Sequence, residues 1–113
     1  MTKKNKITIG TIIGSGCRIQ GDLTVNGIAI INGKITGNLT ATGFVRLAES
    51  AIVKGNLTAE SAKIYGEVSG NLKVKNRVEL GKNSRLGGDL IAKRLRIEDG
   101  AFFDGKCDLL DDE

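Results

Sequence analysis

The chain of 113 residues contains no histidine. Histidine is the commonest general base near neutral pH and the commonest metal ligand, so its absence removes the simplest route to acid–base or metal-dependent catalysis. No apolar run approaches the roughly 20 residues that a membrane-spanning helix requires. The segment Ile7–Ile13 is interrupted by Thr and Gly, which argues against the core of a signal peptide. These absences favour a cytoplasmic protein that is not an enzyme and needs no cofactor.

A short glycine motif repeats along the chain. Gly-Asp-Leu or Gly-Asn-Leu occurs five times, beginning at Gly21, Gly37, Gly55, Gly70 and Gly88, and a decayed sixth copy begins at Gly105. Successive copies are separated by 16, 18, 15, 18 and 17 residues. A unit of roughly seventeen residues is too short to bury an apolar face alone, so the units must stack on one another.

Apolar residues alternate within each unit, as at Ile19, Leu23 and Val25. This period of two is typical of a strand with one buried face, and helical spacing is absent. Each unit holds about three short strands, so the pattern predicts an all-β fold: a β-solenoid of about six coils. Three aligned columns should fill its core. They are Leu23, Leu39, Leu57, Leu72 and Leu90; Ile19, Ile35, Val53, Val68, Leu86 and Phe103; and Ile30, Leu47, Ile64, Leu80 and Ile97.

The corners of each coil should account for most of the glycines. Gly has no Cβ and Asn tolerates the left-handed region, so the motif glycine and the following Asn or Asp suit a corner with positive φ. Short links at 31–34 and 65–67, against a longer link at 48–52, indicate that one corner absorbs the variation in repeat length. Asn residues at successive corners should form a ladder.

The coils depend on one another and therefore form one domain, predicted over residues 11–108. Residues 1–10 form a short basic tail and residues 109–113 a short acidic one. Cys17 and Cys107 fall in the first and last coils, roughly 24 Å apart, which is too far for a disulfide. Both are expected to be small core or corner residues.

Other enzyme and metal sites fit the sequence poorly. Hexapeptide-repeat acyltransferases have a strict period of six and use a catalytic histidine, and neither feature occurs here. Asp22 and Asp89 share a column but lie four coils apart, roughly 19 Å, too far to act as a catalytic carboxylate pair. The calcium-binding nonapeptide of other solenoids is missing, so no metal site is expected.

Charge is distributed unevenly. Eight of the seventeen basic residues lie between Lys73 and Arg96, and seven of the thirteen acidic residues lie between Glu98 and Glu113. The stretch Lys73–Arg96 could make the chain a monomeric polyanion-binding module. With no exposed aromatic residue nearby to stack on bases, a solvated face is the preferred interpretation and no nucleic acid partner is expected.

A solenoid leaves the strands of its first and last coils with unpaired N–H and C=O groups, and such edges recruit other chains unless a cap covers them. Neither flank is long enough for a capping helix. The last coil is also unusually apolar: Phe103 falls in a core column, and Phe102 takes an outward position. End-to-end association, repeated at both ends, would then build a filament. The basic start and acidic finish of the chain would by themselves favour head-to-tail contacts.

The sequence resembles the bactofilins, which are bacterial cytoskeletal proteins. The resemblance rests on three features: the opening Thr11-Ile-Ile-Gly-Ser-Gly-Cys-Arg-Ile-Gln-Gly-Asp-Leu23, the repeated Gly-Asn-Leu units, and the closing Leu95-Arg-Ile-Glu-Asp-Gly-Ala-Phe-Phe-Asp-Gly-Lys-Cys107. It implies a right-handed triangular β-helix that polymerises without nucleotide, head to head and tail to tail, into non-polar filaments. It also implies a role in cell shape, in peptidoglycan synthesis or in scaffolding of cell-wall enzymes at the inner membrane.

Two sets of contact residues are predicted on this basis. The polymer interface comprises Phe103, Phe102, Cys107, Ile12 and Ile19. Lys3, Lys4 and Lys6 are predicted to contact the membrane, since each lysine near anionic lipid contributes roughly 1 kcal/mol to binding.

Overall fold

The computed structural model describes the backbone of residues 9–110 and the side chains of residues 11–110. Every regular element in this part of the chain is a short strand. The eighteen strands are β1 Ile9–Ile13, β2 Arg18–Gln20, β3 Leu23–Val25, β4 Ile28–Ile31, β5 Lys34–Thr36, β6 Leu39–Ala41, β7 Phe44–Leu47, β8 Ile52–Lys54, β9 Leu57–Ala59, β10 Ser61–Ile64, β11 Glu67–Ser69, β12 Leu72–Val74, β13 Arg77–Leu80, β14 Arg85–Gly87, β15 Leu90–Ala92, β16 Arg94–Ile97, β17 Phe102–Asp104 and β18 Cys107–Leu109.

Every third strand pairs in parallel, which produces three sheets of six strands. Sheet A runs from β1 to β16, sheet B from β2 to β17 and sheet C from β3 to β18. One strand of each sheet makes one coil, so the chain winds through about six coils. The predicted all-β solenoid is confirmed.

The buried side chains form continuous columns inside the solenoid. Leu23 pairs with Leu39 and Leu90 with Cys107, at the two ends of the leucine column in sheet C. In sheet B the column runs from Ile19 beside Ile35 to Leu86 beside Phe103. Both columns lie where the alternation predicted them.

The prediction for the third column, which lies in sheet A, was wrong at one position. Ile31, not Ile30, pairs with Leu47 and is fully buried, whereas Ile30 pairs with the exposed Arg46. The inward residues of β4 are Ala29 and Ile31. Because all four residues of this strand are apolar, alternation could not determine which pair faces inward.

The corners also differ from the prediction in one respect. Each motif glycine has a positive φ, for example 146° at Gly55, but among the described residues the only non-glycine residue with positive φ is Asn83, outside the motif. A Cβ at Gly55 would overlap the carbonyl oxygen of Gly37 one coil earlier. Glycine is therefore required by close stacking of the corners as well as by φ. The following Asn or Asp serves a different purpose.

That purpose is a hydrogen-bonded ladder, as the sequence predicted. The side chain of Asn38 accepts a hydrogen bond of 3.1 Å from the backbone N–H of Asn56, and Asn56 accepts one of 3.1 Å from Asn71. Asp22 and Asp89 act as acceptors at the two ends of the same ladder. Two corners absorb the variation in repeat length, not one as predicted. The corner between sheets A and B has two linking residues at 32–33 and four at 48–51, and the corner between sheets C and A has one at 60 and two at 75–76.

Candidate polymerisation ends and a basic groove

The carboxyl-terminal end of the solenoid is formed by β16, β17 and β18, each of which is the last strand of its sheet. Apolar side chains in these strands and just beyond them are open to solvent, because no further coil covers them. Ile97 is 48% exposed and Leu109 is 56% exposed, whereas the equivalent Leu80 and Ala92 one coil earlier are fully buried. Phe103 is partly buried against the core and faces this end.

The amino-terminal end is less open. It is formed by β1, β2 and β3, the first strands of the three sheets. Among the described inward positions of this end, Ile13 and Val25 are buried, and Thr11, Ile19 and Leu23 are half-buried. The carboxyl-terminal end therefore offers more apolar surface for association.

The predicted interface residues fall in three different positions. Phe103, Cys107 and Ile19 lie in core columns at the ends of the solenoid. Ile12 points outward from β1 beside Ile30 and is 62% exposed. Phe102 points outward from β17, is 56% exposed, and has the guanidinium of Arg85 5.9 Å from its ring centre. Three of the five residues therefore face an end of the solenoid, and the other two, Ile12 and Phe102, face its sides. That any of them contacts a second subunit stays a prediction.

Both cysteines are free thiols and both are exposed to solvent. Cys107 occupies an inward column position that no later coil covers, and Cys17 lies at the corner after β1. Partial burial and, secondarily, the charge of Asp108 raise the pKa of the Cys107 thiol. The thiol form therefore dominates near neutral pH.

A groove that the sequence did not reveal crosses the outward face of sheet A. It has a volume of about 560 Å³ and is lined by residues of four successive coils. Phe44 forms one wall, and Arg77 and Arg94 lie at the other end. Phe44 and Arg77 are 33 residues apart in the sequence, but they lie only two coils apart in the solenoid. A half-buried aromatic residue therefore lies beside the basic stretch, and the sequence did not indicate it.

Positive charge exceeds negative charge in this groove. Glu79 is the acidic residue that lines it, and its carboxylate lies 3.8 Å from Lys63 Nζ and 3.4 Å from Arg77 Nη1. Arg94 pairs in register with Arg77 and forms no ion pair within residues 11–110. Parallel neighbours are about 4.8 Å apart, a spacing at which like charges repel.

Lys3, Lys4 and Lys6 lie outside the described residues. Within the described part of the chain no helix is long and apolar enough to cross a membrane, and no three potential acidic, cysteine or histidine ligands gather into a metal site.

Comparison with known proteins agrees with this architecture. Residues 11–108 match the family described as Bactofilin: Polymer-forming cytoskeletal. Among solved structures, the chain resembles a Thermus thermophilus bactofilin whose double helical filaments were reconstructed by cryo-EM. The TM-score is 0.78 at 28% identity, and the match covers 86% of this chain and 96% of that one. No curated protein sequence matches the chain significantly.

Proposed function

Since the chain belongs to the bactofilin family of polymer-forming cytoskeletal proteins, we propose that it assembles end to end, without nucleotide, into non-polar filaments. These filaments scaffold cell shape or cell-wall synthesis, and the chain acts as a structural protein rather than an enzyme. The observation that carries the proposal is that, within residues 9–110, the first and last strands of all three sheets each have one edge without a strand partner. Hydrogen bonds between the strand edges of two subunits would orient them, and the apolar side chains buried between them would supply affinity.

The difference between the two ends favours contacts between like ends. A joint of two carboxyl-terminal ends would bury Ile97, Phe103 and Leu109 against their own copies, so exposed apolar surface meets exposed apolar surface. A head-to-tail joint would instead set this surface against the better-covered amino-terminal end. The filament of the similar Thermus protein supports polymerisation as such.

The proposed location is the cytoplasm, with filaments at the inner face of the cytoplasmic membrane. Lys3, Lys4 and Lys6 would contact anionic lipid, and repetition along a filament would add these weak contacts together. Cell-wall enzymes are the proposed partners of the membrane-bound polymer. Co-sedimentation with vesicles containing anionic lipid, compared between the parent chain and a variant with all three lysines changed to glutamate, tests this part separately.

Negative-stain microscopy of the purified chain in nucleotide-free buffer tests the central proposal. Filaments with a longitudinal repeat close to one or two solenoid lengths, roughly 28 or 56 Å, are the expected result. Labelling one end of each subunit should show like ends together. A chain that stays monomeric at high concentration would refute assembly through the ends.

A further inference from the structure

We propose that the groove on sheet A is a binding surface for acidic peptide, and that its resident occupant is the acidic segment 111–113 of the same chain. The groove runs along the outward face of sheet A from β7 to β16, and the residues that line it do not include the end-facing apolar residues Ile97, Phe103 and Leu109. The inference therefore does not depend on polymerisation.

The first argument is the charge of the groove itself. Arg77 and Arg94 are stacked in register, and Glu79, the acidic residue of the groove, lies within ion-pair distance of Lys63 and Arg77 but not of Arg94. Two arginines on adjacent strands and the same face can donate to one bridging anion, and a carboxylate matches the planar geometry of a guanidinium group. Ser61, a small residue beside Phe44 on the same outward face, lines the middle of the groove, whose volume is about 560 Å³.

The second argument is the position at which the described chain ends. The backbone N–H of Leu110 donates a 2.7 Å hydrogen bond to the carbonyl oxygen of Ala92. Ala92 lies two residues before Arg94, so the next residues of the chain start beside the basic end of the groove. Three extended residues span about 10 Å, enough to pass Arg94 and reach Arg77 two coils away.

The third argument is that these residues are poorly suited to continue the solenoid. The corner from sheet C to sheet A has one linking residue at 93 and two at 75–76. Another strand beyond β16 would place Asp112 beside the inward Leu95 with the shorter link, and Glu113 there with the longer one. Either choice directs a carboxylate into the apolar end of the core, which is costly. Turning toward the outward face places the same carboxylates beside cations.

Zero-length carbodiimide crosslinking of the full chain tests the contact, because it joins a lysine to a carboxylate only when the two touch. Lys93 lines the groove and should crosslink to a residue of 111–113, whereas Lys82, in the link between sheets A and B, should not. Changing both Arg77 and Arg94 to Glu should lower the Lys93 yield at least about threefold, since repulsion drives the segment away. Both arginines are exposed, so the fold should be kept.

Mixing unlabelled chain with ¹⁵N-labelled chain before the reaction identifies which molecule supplies the segment. Crosslinks within one isotope support the proposal, whereas a statistical share of mixed crosslinks would show that a neighbouring copy supplies it. Absence of any crosslink from Lys93 to residues 111–113 would also overturn it.

A binding measurement tests the chemistry of the surface. The variant with Asp111→Asn, Asp112→Asn and Glu113→Gln keeps the segment but removes its charge. It should bind a labelled synthetic peptide of residues 108–113 about tenfold more tightly than the parent chain, and the gain should vanish when Arg77 and Arg94 are also changed to Glu. Equal affinity for the two chains, or a gain for an oligothymidylate but not for the peptide, would refute the proposal.

Discussion

Phe103 lies directly beside Leu86 in the neighbouring strand, at the same inward position of sheet B. Leu86 is fully buried, but Phe103 is only partly so, because β17 is the last strand of its sheet. The two residues occupy equivalent sites that differ only in the presence of a covering coil. In a filament, a second molecule would supply that cover.

Changing Phe103 to Arg should leave a folded chain that hardly polymerises. A guanidinium in the joint would be desolvated without a partner, at a cost of about 3 kcal/mol or more, which corresponds to an increase in the critical concentration of assembly of at least about a hundredfold. Sedimentation and microscopy measure assembly, and circular dichroism checks the fold. Undiminished filaments from this variant would remove Phe103 from the joint.

Phe102 provides a matched comparison one residue away. It points sideways and contacts Arg85, so Phe102→Arg should raise the critical concentration less than about tenfold, a cost below about 1.4 kcal/mol. The same sedimentation assay applies. If Phe102→Arg abolished assembly while Phe103→Arg did not, the joint would lie on the side of the solenoid rather than at its end.

The glycine corners should tolerate no side chain. Gly55 has a φ of 146°, and a Cβ there would overlap the Gly37 carbonyl oxygen. Backbone strain and overpacking together should make Gly55→Ala less stable by about 3 kcal/mol or more in urea unfolding. Gly87 is the control, because a Cβ there meets no atom within 4 Å and its φ is not positive; Gly87→Ala should change stability by less than about 0.5 kcal/mol. Equal losses at both positions would contradict this explanation of the motif glycine.

The ladder of side-chain acceptors gives a milder effect. Asn56→Ala removes the acceptor for the Asn71 amide and should cost about 1 kcal/mol. Asn56→Asp keeps an oxygen at the same place, as Asp22 and Asp89 do elsewhere in the ladder, so it should recover most of that loss. Both values come from urea unfolding. A loss in the Asp variant as large as in the Ala variant would show that the oxygen is not the stabilising group.

Much of this architecture follows from the period of the sequence, since alternation and a seventeen-residue repeat determine both strand direction and coil spacing. Prediction was wrong where the local pattern is uniform, as in the four apolar residues of β4, which left Ile30 and Ile31 indistinguishable. It also missed contacts between distant repeats: nothing near Arg77 in sequence indicates that Phe44 shares its groove. Aligning the repeats column by column would have placed Phe44 and Arg77 on one face.

One buried polar group lowers the stability of the solenoid. Ser84 is fully buried, and its hydroxyl has no hydrogen-bond partner within the described residues. Ala51 fills the corresponding corner of an earlier coil and is also fully buried. Ser84→Ala should therefore raise the free energy of unfolding by about 1 kcal/mol. The control is Ser50→Ala, which removes an exposed hydroxyl that donates to the Asn32 carbonyl oxygen at 3.1 Å and should give no gain. Destabilisation by Ser84→Ala would mean that the hydroxyl is satisfied in solution.

The raised pKa of Cys107 has a defined dependence on pH. Because its pKa is raised, this group stabilises the folded chain below the ordinary pKa of a thiol, and the contribution is lost as the pH rises through the raised value. Alkylation by iodoacetamide requires the thiolate, so at pH 8.5 and below the assembly threshold Cys107 should react more slowly than an unstructured peptide thiol. Asp108→Asn removes the secondary cause and should speed the reaction, whereas Asp104→Asn should not change it. If neither variant altered the alkylation rate, burial alone would govern the reactivity of the Cys107 thiol. Faster alkylation of Cys107 in filaments than in free subunits would show that this residue stays outside the contact between subunits.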